Sequence, residues 1–344
     1  MKIISKKHII FGTLFLIYMI IVFSYSFFQK SNLNKVLSTK IFLLHLYSFS
    51  IIFGFIISII SVVILIVMLY MNRYSYQNIL FMGWIGILIL SVILIIFGSD
   101  TKTKGSTLNT THTVKIVEWN TANNIDGKNI YTIFGEFDAD IAVLPELEGY
   151  EKGDISQQRL KDLFSAANLD FGKYESFVSL STEGSIAPVT IIIKKGRCQF
   201  SNNKKVPMTR FGTIYLKSDS EQIPSIVGLH TAPPLPGLID IWKKDLELIS
   251  YDIVKEQPDA IIIGDFNATM RHGALNDIIT HEDVLNSLSI YNRGTWNVKL
   301  PYFFRTSIDH ILIPKNQYLV KNIEVKNLYN SDHMAIFAEI QRIE

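Results

Sequence analysis

Beyond residue 112, carboxylate, amide and imidazole side chains stand at the ends of short apolar runs. Asn120 closes Val114-Lys-Ile-Val-Glu-Trp, Glu146 follows Val143-Leu144-Pro145, and His230 ends Ser225-Ile-Val-Gly-Leu. Asp265 and Asn267 follow Ile261-Ile-Ile-Gly, Asp309 lies inside Ile308-Asp-His-Ile-Leu-Ile, and Asp332-His333 precede a last apolar run. Strand ends and the loops after them are where a rigid scaffold displays functional groups. Taken alone, Asn120 reads as an Asx turn, and His230 as a structural histidine. Glu146, directly after a buried run, suits a hard cation that takes oxygen ligands; Glu148 is a lesser candidate for that role. Asp265 and Asn267 form a stronger signal, because residues two apart on an extended segment face one site, and Gly264 permits a tight turn or close backbone approach. An acid inside an apolar strand, as Asp309 is, costs too much to keep unpaired. His310 alternates to the opposite face and reads as structural. Together these are oxygen and imidazole groups without cysteine, which suits Mg²⁺-assisted attack of water on a phosphoester. Zinc is poorly served, with no spaced His pair or Cys pair.

The elements that must hold these residues are short β-rich runs alternating with amphipathic helices. Strands are expected at Val114–Trp119, Asp140–Leu144, Pro224–His230, Ala260–Ile263, Ile308–Ile313 and Met334–Ile340, with Val189–Lys194 and Thr213–Lys217 as a neighbouring pair. A helix is expected near Asn129–Phe137, and a longer one carries Trp242, Leu246, Ile249 and Ile253 at helical spacing. About 230 residues of this mixture bury one large core, which implies an α/β domain with a two-layer sheet centre. No internal repeat is visible.

The first hundred residues are of another kind. Of the 344 residues, 48% are hydrophobic and only 19% charged, and the excess is concentrated here. Runs at His8–Phe28, Ile41–Tyr70 and Gln77–Gly98 contain no Lys, Arg, Asp or Glu. Each reaches the roughly 20 residues that cross a bilayer as a helix, and none shows the polar stripe of a soluble core helix. Tyr25, Phe27, Phe28, Tyr70 and Tyr74 cluster near the ends, as interface anchors do. The first run is too long, and Ser24-Tyr-Ser-Phe-Phe too bulky, for a cleaved signal peptide. Lys2, Lys6 and Lys7 favour an amino terminus inside, so three crossings place the following domain outside the cytoplasm. Residues 99–112, rich in Ser, Thr, Lys and Gly, read as a solvated linker. Asn109-Thr-Thr fits a glycosylation acceptor only in a secreted eukaryotic context. The net charge of +2 argues for no global nucleic-acid field. The single cysteine, Cys198, excludes a disulfide framework and reads as a semi-buried residue beside a strand.

The ordered series Glu118-Trp-Asn120, Leu144-Pro-Glu146, Gly228-Leu-His230, Gly264-Asp-Phe-Asn267-Ala, Ile308-Asp309-His-Ile and Ser331-Asp332-His333 resembles the endonuclease/exonuclease/phosphatase superfamily. That group includes deoxyribonuclease-like enzymes and neutral sphingomyelinases. Gly294-Thr-Trp296 resembles the version in a bacterial, often membrane-anchored branch. The resemblance covers residues 113 to 342 and implies a four-layer α/β sandwich. It also implies roles: Glu146 binds Mg²⁺ (Mn²⁺ being the alternative), with Asn120 assisting and Asp332 as a second metal contact. Asp265 orients or deprotonates the attacking water, and Asn267 holds phosphate or water. Asp309 orients His333, and His230 stabilises developing charge or protonates the leaving group. Two features depart from the pattern: Pro145 stands where many members have Gln, and Glu183 is a poor match to the glutamate that pairs the His230-like residue in deoxyribonucleases.

The expected protein is therefore a multi-pass, integral membrane, Mg²⁺-dependent phosphoester hydrolase, with a lipid head group, nucleic acid or other phosphoester as substrate, the lipid bilayer as partner and no obligate protein partner evident. A surface or exported endonuclease is the alternative, resting on Lys194-Lys-Gly-Arg197, Lys204-Lys205 and Arg271-His272. A catalytically silent membrane signalling or binding module is the alternative of a different class. The absence of charged residues within the apolar runs gives them no sign of a transport pathway.

Overall fold

The computed structural model describes residues 6–71, 79–97, 113–147, 157–181, 184–202, 206–289 and 292–343. The expected linker at 99–112, together with Tyr74, Glu148, Glu183, Lys204 and Lys205, lies outside them. The chain divides into two compact units. The first comprises Met1–Asp100 with Arg271–Gly273, and the second the remainder.

In the first unit, α1 (Lys6–Phe27), α4 (Ser50–Tyr70) and α5 (Ile79–Phe97) are long and apolar enough to cross a membrane. Two short helices, α2 (Asn32–Ser38) and α3 (Leu44–Ser48), lie between α1 and α4. The apolar run at 41–70 is therefore not one helix: Phe49, at φ −114° and ψ 36°, departs from helical geometry between α3 and α4. Composition alone could not locate that break, because both sides of it are equally apolar. Helices in hydrocarbon associate through close packing and polar pairs, and both occur here. A Cβ on Gly54 would lie 2.5 Å from Ile95 Cγ1 and 3.0 Å from the Ser91 carbonyl, so glycine permits the close approach of α4 and α5. The Tyr25 hydroxyl lies 2.7 Å from the Ser50 hydroxyl. Tyr25 is thus a buried packing residue instead of an interface anchor, whereas Phe28 and Tyr70 are exposed.

In the second unit, one sheet has the order β11-β12-β1-β2-β4-β3, built from β1 (Thr113–Glu118), β2 (Ile141–Pro145), β3 (Tyr174–Ser181), β4 (Gly184–Lys194), β11 (Tyr318–Lys326) and β12 (Ala335–Arg342). The other has the order β5-β6-β7-β8-β10-β9, from β5 (Phe200–Asn202), β6 (Thr213–Ser218), β7 (Ile226–His230), β8 (Ile261–Asp265), β9 (His281–Asp283) and β10 (Asp309–Pro314). Alternation along each strand sends one set of side chains between the sheets and the other outward. Ile116, Val143, Ile191, Ile263, Ile311 and Ile336 share the core between the sheets.

Outside the first sheet, Trp119, Ala142 and Phe337 pack with residues of α6 (Gly127–Ile130), the π-helical turn Tyr131–Glu136 that continues it, and α7 (Gln157–Ala166). Outside the second, Val227, Ile262 and Leu312 pack on Trp242, Leu246, Ile249 and Ile253. Those four lie on a helical stretch that begins with α8 (Ile239–Glu247), continues as a π-helical turn, Leu248–Ile253, and ends in α9 (Val254–Glu256). Helix, sheet, sheet, helix is the four-layer sandwich expected from the sequence.

One expected pairing does not occur. β4 pairs with β2 and β3, and β6 with β5 and β7, so the two runs lie in different sheets. Both are buried apolar strands, and such a run carries no mark of its partner. The strands that flank them at the sheet edges, β3 and β5, are partly exposed and lack a strong apolar signal.

Candidate active site

Strand register builds the site. In the second sheet, His230 of β7 is in register with Asp265 of β8, and Asp265 is opposite Asp309 of β10. In the first, β1 lies between β12 and β2, so Asn120 just beyond β1 stands between His333, just before β12, and Glu146, just after β2. Each row lies at one end of its sheet, and the two rows meet. Asn120 Nδ2 donates to Asp265 Oδ2 at 2.9 Å and to Glu146 Oε1 at 3.1 Å. Its Oδ1 accepts from the Ala122 N–H at 3.0 Å, the Asx turn its sequence suggests. Asn120 therefore presents its amino group, not its oxygen, to the two carboxylates.

Asp265 divides its oxygens. Oδ1 accepts the Asn267 N–H at 2.7 Å. Oδ2 faces Asn120, with His230 Nε2 at 3.6 Å and His333 Nε2 at 4.0 Å. The strand ends at Asp265, and Asn267 adopts φ 47°. Asn267 thus reaches the site by a turn instead of by strand alternation, and its Nδ2 donates to the Thr231 carbonyl at 3.1 Å. One residue before Asp265, within β8, Gly264 adopts φ +148°, and a Cβ there would lie 1.9 Å from the Leu229 carbonyl oxygen of β7. Glu146 also adopts a positive φ, 58°, uncommon for a residue with a Cβ.

His333 Nδ1 lies 3.0 Å from both carboxylate oxygens of Asp309, which is fully buried. Burial alone would lower the His333 pKa, but the Asp309 charge and hydrogen bond, with Asp265 and Asp332 beyond, raise it to about 10. Burial and then the neighbouring Asp309 charge push Asp265 up to about 6, against the opposing pull of His333, His230 and the Asn120 hydrogen bond. Two acids directly opposite across adjacent strands repel, so this pair needs a cation, and His333 supplies one. His230 places Nδ1 3.2 Å from the Ala187 carbonyl, which leaves Nε2 facing Asp265 and, at 3.8 Å, Glu146. Asp332 Oδ1 lies 3.9 Å from His333 Nε2.

All eight residues singled out in the sequence are brought to this end of the sandwich. Other contributors carry weaker sequence signals. Trp296 Nε1 donates to Asp332 Oδ2 at 2.8 Å. The Thr295 hydroxyl accepts from the N–H groups of Ile308 and Asp309. Asp245 of α8 accepts from Ala232 N at 2.8 Å and Arg210 N at 3.1 Å, pinning loops on both sides of His230. His310 is structural, as its face suggested: Nδ1 lies 2.6 Å from Asp283 Oδ2 and Nε2 2.8 Å from the Ala268 carbonyl. Glu118 is wholly buried, and neither carboxyl oxygen has a hydrogen-bond partner among the described residues. Burial, with the charges of Asp309, Asp265 and Asp283, raises its pKa well above the carboxylate range.

The donors suit a hard divalent cation. Glu146 Oε1 and Asp265 Oδ2 are bridged by one amide, and single ligand atoms of Asp265, Asp309 and His333 lie within 4.8 Å of one another. Asp309 is committed to His333, which favours the Glu146 carboxylate over that trio as the cation's ligand. Chemically, the arrangement offers carboxylates to hold a cation and two imidazoles to face a phosphoryl oxygen.

A profile described as the endonuclease/exonuclease/phosphatase family matches residues 117–333. Among solved structures, an endonuclease/exonuclease/phosphatase from Beutenbergia cavernae superposes with a TM-score of 0.50 at 15% identity, covering 67% of this chain and 72% of that one. An endonuclease/exonuclease/phosphatase family protein from Leptotrichia buccalis gives 0.44 at 16% identity, covering 67% and 100%. The 2',3'-cyclic phosphatase ANGEL2 gives 0.46 at 12%, covering 67% and 96%. No curated protein matches the chain.

Proposed function

This chain belongs to the endonuclease/exonuclease/phosphatase family, and from that premise we propose that it is a membrane-anchored, Mg²⁺-dependent phosphoester hydrolase. The observation that carries the reading is the bridge from Asn120 to Glu146 and Asp265, flanked by the His333–Asp309 pair and His230. Phosphoryl transfer needs alignment and charge neutralisation more than covalent help. Glu146 would hold Mg²⁺ or Mn²⁺, with Asp332 as a second contact, and Asn120 would assist by orienting the Glu146 and Asp265 carboxylates through its amino group. The ion, when bound, offsets negative charge on the phosphoryl oxygens and lowers the pKa of water.

The protein's own residues do the rest. Asp265, with a pKa above the carboxylate norm, takes a proton from the attacking water through Oδ2. Asn267 holds the phosphoryl group or that water. His333, kept cationic by Asp309, presents Nε2–H to the developing charge. His230 Nε2 stabilises the same charge or protonates the leaving group. Anchoring rests on α1, α4 and α5. The basic flank of α1 favours an amino terminus inside and a catalytic domain outside the cytoplasm.

The endonuclease alternative draws little from the basic clusters. Lys194 is paired with Asp138 and Arg197 with Asp140, while Arg271 and His272 are buried. Against the silent module stands the bridge from Asn120 to Glu146 and Asp265 beside the His333–Asp309 pair.

The test is hydrolysis by the full chain, in detergent, of plasmid DNA, RNA, phospholipid and bis-p-nitrophenyl phosphate, with Mg²⁺ or with EDTA, beside Asp265→Ala. Metal-dependent turnover lost in Asp265→Ala is expected. A folded protein that turns over none of these and binds no Mg²⁺ would sink the reading.

A further inference from the structure

Between Trp296 and Thr306 the chain makes an excursion, Asn-Val-Lys-Leu-Pro-Tyr-Phe-Phe-Arg. Its base is closed by Trp296 and Thr306, which exchange backbone hydrogen bonds of 2.9 and 2.6 Å. One flank is tied to the site, with Val298 N donating to the Asp332 carbonyl at 3.0 Å. From the other flank, Arg305 reaches across to the carbonyls of Leu300 and Val298, at 2.9 and 3.0 Å. The loop is therefore held internally, yet its tip faces solvent. Tyr302 is 56% exposed, Pro301 and Lys299 are exposed, and Tyr302, Phe303 and Phe304 stack edge to face at 5.3 and 4.4 Å. Exposed apolar surface costs about 25 cal/mol per Å² relative to burial, so a built loop that displays it implies a surface to receive it.

Two further tips lie at the same end of the sandwich. Leu235, 54% exposed, is in the Pro-rich loop that leaves β7 after His230. Tyr329, 86% exposed, precedes Ser331-Asp332-His333 in a loop secured by Asn330 Nδ2 to Asn129 and Asn124 Nδ2 to the Asn330 carbonyl. From Leu288 to Ile308 there is no acidic residue, while Arg293, Lys299 and Arg305 are basic.

We propose that Asn297–Arg305, with the tips at Leu235 and Tyr329, docks on a lipid bilayer, so that the phosphoester taken by the site is one carried on a lipid head group. Aromatic side chains interleaved with cations are what a membrane–water interface accommodates. The partner follows from the chain itself, whose helices α1, α4 and α5 are long and apolar enough to cross a membrane. Only residues 98–112 separate Phe97 from Thr113, a contour of at most about 55 Å. A domain so tethered never leaves the neighbourhood of the bilayer, and the effective concentration of lipid at its surface is high. The substrate class deepens the hydrolase reading above and rests on it; the docking itself does not.

The test uses the full chain in nanodiscs, with Cys198→Ser removing the one cysteine. A nitrobenzoxadiazole label is placed at Tyr302→Cys and, separately, at Leu235→Cys. The reference position is Tyr251→Cys, 45% exposed on the helical layer outside the second sheet. Nitroxide-labelled lipid in phosphatidylcholine–phosphatidylglycerol discs is expected to quench the labels at 302 and 235 severalfold more than the label at 251. Quenching at 302 should weaken in phosphatidylcholine alone. Equal quenching at all three positions, or none at 302 and 235, overturns the proposal. So does a response of the 302 label to oligonucleotide in place of lipid. The readout needs no turnover and is repeated on Asp265→Ala, so loss of the hydrolase reading and loss of docking are separately visible.

Discussion

His333 Nδ1 lies 3.0 Å from both carboxylate oxygens of Asp309, and Asp309 stands directly opposite Asp265 in the neighbouring strand. One imidazolium thus serves two acids: it neutralises Asp309 by contact and relieves Asp265 at longer range. Asp309→Asn keeps the shape and removes the charge. The His333 pKa, now about 10, is expected to fall, moving the alkaline limb of the rate profile toward lower pH. Rate is expected to fall by about 10²–10⁴-fold, the usual range for one positioned acid–base group. An alkaline limb that stays in place would remove His333 from the acid–base role.

Trp296 is a positioning residue, acting through Asp332. Trp296→Phe keeps an aromatic ring and deletes the indole N–H that lies 2.8 Å from Asp332 Oδ2. A hydrogen bond to a charged group contributes about 1.5–3 kcal/mol, and partners that orient metal-site residues are worth about 10–100-fold in metal affinity or activity. The expected result is a roughly 10–100-fold higher Mg²⁺ concentration for half-maximal turnover, with the unfolding temperature lowered by no more than about 10 °C. Wild-type Mg²⁺ dependence in Trp296→Phe would show that Asp332 needs no orientation.

His310 supports the same strand from its opposite face. Burial lowers its pKa, but the Asp283 charge and hydrogen bond, the Ala268 carbonyl and Asp309 outweigh this and raise it above 6.5. A histidine whose folded pKa is raised stabilises fully below its unfolded pKa and loses that contribution as pH rises through the folded value. Stability should therefore decline on the alkaline side of 6.5, and this decline should flatten in His310→Gln. Thermal unfolding across pH measures it; a wild-type slope retained in His310→Gln would assign the decline to other groups.

Gly264 tests the backbone. Alanine at φ +148° would place its Cβ 1.9 Å from the Leu229 carbonyl oxygen, so β7 or β8 must shift. Because His230 and Asp265 lie in register across that contact, Gly264→Ala is expected to abolish turnover and to destabilise by more than the ~1 kcal/mol typical of point substitutions. Near-normal activity with a normal unfolding temperature would refute the close approach.

Much of this protein is legible in its sequence, for a definite reason. Being long and apolar enough to cross a bilayer is a property of one stretch of chain, so the runs holding α1, α4 and α5 identify themselves. Strand ends that carry Asn120, Glu146, Asp265 or His333 stand out because a polar group after a buried run needs a partner or a use. Edge strands β3, β5, β9 and β11 were not legible, being short or only partly buried. Nor was the break at Phe49, where both sides are apolar.

Local pattern determined which residues are apolar, which are reactive and in what order they occur. Tertiary structure decided who meets whom. That β4 and β6 belong to different sheets, that Asn120 turns its amino group to Glu146 and Asp265, that Trp296 holds Asp332 and that Asp283 holds His310 all depend on register between strands distant in sequence. Register is settled by the packing of two sheets and their helices at once, and no single stretch of chain carries that information.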